Sequence, residues 1–278
     1  MLHNPLTPGE ILAGRYRISR VQRITGLSAL YEAHDQQAVG SDGRCAVKEE
    51  LLEAETPAET ARLAEGFRRK VEVLKTLDHP AIPRIHDGFT IAGQAYLVMD
   101  YVEGKDLEDV MNEARDFLPT PAIYRWAVEL CDALNYLHTR RPPLVFRDIK
   151  PSNIMIDTEK HVKLIDYGIV EVLEDGREYA ALGTDGYAAP EQYEGRVTPL
   201  IDQYALGATL HQMLTRTDPR LQPPFSFGKR PLRAFNQSAP WEFGAIVMRA
   251  LAYNPEDRFA SMAEMLEALR QIEDKIGS

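Results

Sequence analysis

Charged and amide side chains follow two short apolar segments near the middle of the chain. Asp148, Lys150 and Asn153 come after segment 144–146, and Asp166 comes after segment 162–165, 18 residues beyond Asp148. Carboxylate and amide oxygens are ligands that hard divalent cations prefer, and a positioned carboxylate can accept a proton from a reacting group. Each of these residues taken alone is more often a solvated loop residue. Their order and spacing together make them candidates for proton transfer and cation binding.

The elements that must position these residues differ between the two parts of the chain. Between residues 15 and 101, alternating segments such as 16–18 and 95–99 predict strands. One helix interrupts them: Thr56-Pro57-Ala58-Glu59 is a capping box with proline at the first helical position. After Gly104, apolar stripes at helical spacing predict a mostly helical region that ends in a helix capped by Ser261 and Glu264.

Composition and charge limit the class of protein. The 278 residues are 44% hydrophobic and 27% charged, as in a globular domain with a sizeable core. The net charge of −10 argues against bulk electrostatic binding of nucleic acid or an anionic membrane. We expect no membrane span and no signal peptide. Two cysteines cannot form a disulfide framework, so we expect a cytoplasmic protein.

The ordered motifs resemble those of the protein kinase family, over roughly residues 14–272. The matching segments are Ala46-Val47-Lys48, Phe146-Arg147-Asp148-Ile149-Lys150-Pro151-Ser152-Asn153, Asp166-Tyr167-Gly168, Ala189-Pro190-Glu191, Asp202 and Arg258. The resemblance implies an α+β, bilobal fold. A small, mainly antiparallel N-lobe with one key helix (residues 1–101) would bind nucleotide, and a larger, mostly helical C-lobe (residues 102–278) would carry the catalytic loop and activation segment. It also implies that Arg258 pairs with Glu191.

The resemblance further implies the reaction and the role of each residue. Asp148 would accept the proton of an attacking hydroxyl, and Lys150 would meet the transferred phosphoryl group. Asn153 and Asp166 would bind Mg²⁺ or Mn²⁺, and Lys48 would bind ATP phosphates. The remaining positions that would contact the nucleotide are Gly26, Leu30, Ala46, Met99, Asp100, Val102 and Asp106.

Further residues resemble the serine/threonine branch of the family. Lys150 and Thr184 match this branch, and the Ala189-Pro190-Glu191 element distinguishes the chain from small-molecule phosphotransferases. The expected partner is therefore a protein carrying a serine or threonine hydroxyl. The residues that make up the motifs resemble those of bacterial members of the family. The oligomeric state, including dimerisation, stays open.

Two departures from the family pattern leave a second function open. Arg23, Thr25 and Ser28 stand where the family has glycines that let backbone amides approach phosphates, and only Gly26 remains. Lys70 stands where the family places a glutamate that pairs with the strand lysine. The alternative to an active kinase is therefore a pseudokinase that acts as an ATP-responsive binding or scaffold module.

Two further expectations concern regulation. Between Gly168 and Ala188 the only serine or threonine is Thr184, which the family uses to brace Asp148, so we expect no activating phosphorylation there. Arg147 would instead meet a carboxylate from Glu171, Glu174, Asp175 or Glu178. We also expect Lys70 to turn towards solvent and to leave Lys48 unpaired, because two facing ammonium groups repel each other. The alternative is that Lys70 reaches an acceptor such as Asp166 or an ATP phosphate.

Overall fold

The computed structural model describes residues 5–26, 28–39, 42–52, 56–167, 170–173 and 179–276. The chain divides into two compact units, Met1–Glu103 and Gly104–Ser278. The division lies two residues beyond the expected boundary at residue 101, so Val102 and Glu103 belong to the first unit.

The described residues of the first unit form one antiparallel sheet of six strands. Its strands are β1 (Ile11–Leu12), β2 (Tyr16–Ile24), β3 (Ser28–Asp35), β4 (Arg44–Leu51), β5 (Ile85–Ile91) and β6 (Gln94–Asp100). They lie in the order β1-β2-β3-β4-β6-β5. Side chains alternate between the two faces of a strand, and one face carries a core that includes Tyr16, Tyr31, Val47, Tyr96 and Val98.

Among the described residues of this unit there is one helix, α1 (Pro57–Leu74), and it begins where the sequence predicted. The Thr56 side chain accepts a hydrogen bond from the Glu59 amide at 3.2 Å, as a capping residue does. Val71 and Leu74 are buried. A Cβ atom on Gly88 of β5 would lie 2.4 Å from Val71 Cγ2, so glycine permits the close approach of α1 to the sheet.

The second unit is mostly helical, as predicted. Its helices are α2 (Leu107–Glu113), α3 (Thr120–His138), α4 (Pro199–Thr215), α5 (Trp241–Ala250), α6 (Met262–Arg270) and α7 (Glu273–Ile276). Residues Ile201–Thr215 of α4 are all buried, which makes this helix the centre of the unit. Among the described residues, none of the helices has the length and apolarity that a bilayer crossing requires.

In the part of the second unit that the structure describes, five short strands carry the loops with the candidate residues. They are β7 (Gly104–Asp106), β8 (Leu144–Val145), β9 (Ile154–Asp157), β10 (Val162–Leu164) and β11 (Glu171–Val172). β10, β9 and β7 form one antiparallel sheet, and β11 pairs with β8. A Cβ atom on Gly104 would lie 2.1 Å from the Ile156 carbonyl oxygen, so only glycine allows β7 and β9 to pair here.

Candidate active site

The loop after β8 is anchored by a buried carboxylate from α4. Asp202 is fully buried and accepts hydrogen bonds from the backbone amides of Phe146, at 2.8 Å, and Arg147, at 2.7 Å. The His138 Nε2 atom lies 2.8 Å from the same carboxylate. Arg147 has a positive φ of 71°, a conformation that costs free energy for a non-glycine residue. Asp202 therefore holds the loop in a strained backbone path that delivers the next residue, Asp148.

Asp148, Lys150 and Thr184 form a closed set of polar contacts. The Lys150 ammonium lies 2.6 Å from Asp148 Oδ2 and 2.8 Å from Thr184 Oγ1. The Thr184 hydroxyl donates to Asp148 Oδ1 at 2.6 Å, which confirms the expected bracing contact. Both oxygens of Asp148 are thus held by positively polarised hydrogens. This arrangement orients the carboxylate and places an ammonium group beside it.

Asn153 and Asp166 lie on connected segments of the second unit. The Asn153 amide nitrogen donates to the Asp148 carbonyl oxygen at 2.9 Å and to its Oδ2 atom at 2.8 Å. Both amide hydrogens are used in these contacts, so the side-chain carbonyl oxygen is the atom that can bind a cation. The Ile165 amide donates to the backbone carbonyl oxygen of Asn153 at 3.1 Å, which ties the residue before Asp166 to the same loop. One amide oxygen and one carboxylate are a donor set that fits a hard divalent cation. The third residue of the Asp166-Tyr167-Gly168 motif, Gly168, lies outside the described residues.

Arg147 is buried and contacts the segment that follows the candidate metal ligands. Its Nη1 atom lies 3.2 Å from Glu171 Oε1, and its Nη2 atom donates to the Ala180 carbonyl oxygen at 2.7 Å. Burial lowers the pKa of the guanidinium, and the Glu171 and Asp202 carboxylates oppose that shift. Of the four expected partners, Glu171 makes the contact, while Glu174, Asp175 and Glu178 lie outside the described residues. The Arg147 guanidinium is therefore already paired with one carboxylate, that of Glu171.

The expected ion pair between Glu191 and Arg258 is confirmed. Both side chains are buried, and the two nitrogen–oxygen distances are 2.6 and 2.9 Å. The bidentate geometry matches the planar guanidinium to the carboxylate. The pair ties the segment before α4 to the segment between α5 and α6.

Two aromatic residues of the motifs, Phe146 and Tyr167, pack against each other. The rings of Phe146 and Tyr167 meet edge to face, with centroids 5.8 Å apart. The Tyr167 hydroxyl donates to the Leu164 carbonyl oxygen at 2.9 Å, and burial raises the pKa of this tyrosine well above its usual value. Tyrosine is therefore accommodated in an apolar position because its one polar atom has a local acceptor.

In the first unit, strand register places the expected nucleotide residues on one face of the sheet. Lys48 of β4 lies opposite Leu30 of β3, and Ala46 lies opposite Met99 of β6. Residues directly opposite each other in antiparallel strands share a face, and so do residues two apart along one strand. Leu30, Ala46, Lys48 and Met99 therefore line the face opposite the core.

Lys48 has a counter-charge that the sequence reading did not identify. Its ammonium group forms an ion pair with Glu50, two residues along β4. Lys70 is half-buried rather than turned wholly to solvent. The expectation that an outward Lys70 leaves Lys48 unpaired is wrong, because the carboxylate of Glu50 lies on the same strand face.

The loop between β2 and β3 is closed by its own polar groups. The Thr25 amide donates to the Ser28 carbonyl oxygen at 2.8 Å, and the Ser28 amide donates to Thr25 Oγ1 at 3.1 Å. The two hydroxyl oxygens lie 2.7 Å apart. Gly26 sits at the tip, where an added Cβ atom would meet nothing within 4 Å. The backbone amides of Thr25 and Ser28 thus donate within the turn. A glycine-rich loop would offer such amides to phosphate.

The remaining expected residues lie near the junction of the two units along the chain. The Asp100 amide donates to the Arg84 carbonyl oxygen at 2.9 Å. Val102 is half-buried in the segment after β6. Asp106 caps α2, because its side chain accepts a hydrogen bond from the Asp109 amide at 2.8 Å. The cap fixes the Asp106 carboxylate at the start of the helix.

Three residues that contact motif residues or their backbone were not identified from the sequence. Glu50 pairs with Lys48, His138 contacts Asp202, and Gln192 donates to the carbonyl oxygens of Arg147, at 3.1 Å, and Leu182, at 2.5 Å. Alternation along β4 signals that Glu50 shares a face with Lys48. For the other two residues the sequence holds no comparable signal, since their partners are distant in the chain.

Comparisons with known proteins agree with this geometry. The family described as "Protein kinase domain" matches residues 33–268. Serine/threonine-protein kinase PknB of Mycobacterium tuberculosis is 32% identical over 94% of this chain, and serine/threonine-protein kinase C of Synechocystis is 31% identical over 95%. The chain spans 43% of the first relative and 51% of the second, or about half of each. The crystal structure of the PknI kinase domain of Mycobacterium tuberculosis is similar, with a TM-score of 0.73, 29% identity, and coverage of 96% of this chain and 99% of that one. The chain belongs to the protein kinase domain family and has its α+β fold.

Proposed function

We propose that this chain is a bacterial serine/threonine protein kinase domain that transfers the γ-phosphoryl group of Mg-ATP to a protein hydroxyl. The observation that carries the proposal is the closed set of contacts among Asp148, Lys150 and Thr184. The names of its relatives as serine/threonine-protein kinases support it.

The reaction needs one base and several positive charges. Asp148 accepts the proton of the attacking hydroxyl as the new phosphorus–oxygen bond forms, and the bond between the γ-phosphorus and the bridging oxygen of ADP breaks. Lys150, held 2.6 Å from Asp148, neutralises charge on the transferred group. Thr184 keeps the carboxylate in the orientation that accepts the proton.

The family uses ATP and a divalent metal ion. In our proposal the side-chain carbonyl oxygen of Asn153 and the carboxylate of Asp166 bind Mg²⁺, which prefers oxygen ligands and keeps part of its water shell. Mn²⁺ fits the same donors. Lys48 binds ATP phosphates, and Leu30, Ala46 and Met99 offer the apolar face for adenine. Gly26, Asp100, Val102 and Asp106 complete the proposed contacts with the nucleotide.

We also propose that activity does not require phosphorylation of the activation segment. The contact between Arg147 and Glu171 supports this, since a carboxylate already stands where an activating phosphate would otherwise pair with the arginine. Thr184 is the only hydroxyl-bearing serine or threonine between residues 168 and 188, and its contact with Asp148 commits it to the catalytic loop.

Transfer of labelled γ-phosphate tests the proposed function. The protein is incubated with Mg-ATP and casein, and Asp148→Asn serves as the matched control because it keeps shape but removes the base. We expect wild-type transfer to exceed that of the variant by about 10²- to 10⁴-fold, the range of general base catalysis. Equal, background-level transfer by both proteins would refute the kinase proposal. Binding of ATP without transfer would then support the pseudokinase alternative.

A further inference from the structure

Strand β4 brings a lysine and a glutamate together on one face. Lys48 and Glu50 form an ion pair, and their side chains are 11% and 29% exposed. On the other face of the same strand, Glu49 is fully buried and accepts a hydrogen bond from the Tyr96 hydroxyl at 2.9 Å. Of these two neighbouring carboxylates, Glu50 is therefore the one that shares the face of Lys48.

The surroundings of Lys48 direct its ammonium group along the strand. Leu30 of β3 and Leu97 of β6 lie directly opposite Lys48 on its two sides. These apolar side chains flank the lysine stem, whereas Glu50 lies opposite the small residues Ser28 and Ala95. A charged group bounded by apolar side chains on both sides is best stabilised by the carboxylate ahead of it on the same face.

Helix α1 offers no carboxylate at the position where the family places one. That position is Lys70. The next acidic residue along α1, Glu72, is 75% exposed and lies 3.5 Å from the Lys75 ammonium. The preceding one, Glu65, is half-exposed and lies 2.8 Å from Arg68. The acidic residues on either side of Lys70 are thus engaged with basic residues on the helix surface.

We propose that Glu50 positions Lys48 for phosphate binding, so that the counter-ion of this lysine comes from its own strand and not from α1. The inference rests on the proposed kinase function and deepens it. Because both partners belong to β4, the orientation of Lys48 does not depend on where α1 lies. Displacement of α1, which breaks a pair made between helix and strand, leaves this pair intact.

The test is the variant Glu50→Gln, which removes the charge and keeps the shape. Glu72→Gln is the matched control on α1. Two quantities are measured for each: the Kd of the magnesium complex of a non-hydrolysable ATP analogue by calorimetry, and kcat and KM for ATP with casein as acceptor. We expect Glu50→Gln to weaken analogue binding and raise KM at least tenfold, and Glu72→Gln to change neither by more than about twofold. Thermal unfolding of the same samples verifies that both variants fold.

Relocating the carboxylate separates positioning from a structural role. In the double variant Glu50→Gln, Lys70→Glu, the helix supplies the charge that β4 has lost, and we expect at least half of the lost affinity and activity to return. Loss in the single variant with no return in the double variant would assign Glu50 to the folding of β4 and overturn the proposal. Unchanged or tighter analogue binding in Glu50→Gln would also overturn it; tighter binding would mean that Glu50 competes with phosphate for Lys48.

The experiment also distinguishes failure of this inference from failure of the proposed function. If wild-type protein transfers no more phosphate than Asp148→Asn, the kinase proposal fails. Comparison of analogue Kd between wild type and Glu50→Gln then still decides whether Glu50 positions Lys48.

Discussion

The catalytic loop of the second unit and the β2–β4 strands of the first unit carry charged groups in different ways. In the catalytic loop, Asp148 contacts its neighbours Lys150 and Asn153 and also Thr184, 36 residues away. The backbone just before Asp148 is held by Asp202 of α4, about 55 residues away along the chain. In the strands, Lys48 and Thr25 meet partners two and three residues away. The groups proposed to act on the reacting atoms thus have long-range support from the helical unit, whereas the contacts described for the proposed phosphate-binding strands come from neighbours in sequence.

This difference has a physical basis. Proton transfer requires a carboxylate held in one orientation, and several partners from different elements restrain it better than one neighbour does. A lysine that neutralises phosphate acts as a point charge and tolerates more variation in its support. Substitutions in the catalytic loop should therefore cost more than substitutions in β2–β4.

The largest effect is expected from loss of the anchor of the catalytic loop. Asp202→Ala removes an acceptor that is fully buried and leaves the amides of Phe146 and Arg147 without it. We expect the free energy of unfolding to fall by about 3 kcal/mol, and phosphate transfer to be lost. Urea denaturation measures the first effect, and the casein assay measures the second. Asp274→Ala, an exposed control in α7, should change stability by less than about 0.5 kcal/mol; an equal loss in both variants would contradict the anchoring role.

The next effect concerns the hydroxyl that braces Asp148. Thr184→Val keeps the shape of the side chain but removes the hydrogen bond to Asp148 and the contact with Lys150. Hydrogen bonds to charged groups contribute about 1.5–3 kcal/mol, so we expect kcat to fall about 10- to 100-fold with little change in KM for ATP. Thr184→Ser keeps the hydroxyl and should lose much less. A rise in KM for ATP at constant kcat would instead place Thr184 on the nucleotide side of the reaction.

A smaller effect is expected from the carboxylate that meets Arg147. Glu171→Gln removes the charge 3.2 Å from the guanidinium and leaves the contact with Ala180 in place. We expect kcat to fall about 3- to 10-fold, consistent with a loss near 1 kcal/mol. Glu194→Gln, at an exposed ion pair with Arg196, is the control. Phosphatase treatment should leave wild-type activity unchanged; activity that disappears together with a phosphosite in segment 168–188 would show that the carboxylate is insufficient.

The smallest effect is expected at the loop between β2 and β3. Thr25→Gly with Ser28→Gly removes the hydroxyl that accepts from the Ser28 amide and so frees a donor for phosphate. We expect KM for ATP to fall about two- to fivefold with kcat nearly constant, because the change affects binding of the nucleotide and not proton transfer. Steady-state kinetics at saturating casein measure both constants. If KM rises, the contacts within the turn are themselves needed to keep the loop in a binding conformation.

The amino-acid sequence by itself determined the family, the order of the motifs and the local elements. The capping residue Thr56, the mostly helical second unit and the pair of Glu191 with Arg258 were all predicted, and the structure contains them. These features depend on residue type and short spacing, or on motifs whose spacing is characteristic of one family.

Apart from the pair of Glu191 with Arg258, only the tertiary structure decided which charged groups meet. Three contacts depend on packing. Lys48 pairs with Glu50 instead of a residue of α1. Arg147 contacts Glu171 and the Ala180 carbonyl oxygen, and Asp202 anchors the loop. A sequence shows that acids and bases are present. Which of them form pairs depends on the strand register that puts two side chains on one face and on the packing that brings distant segments of the chain together.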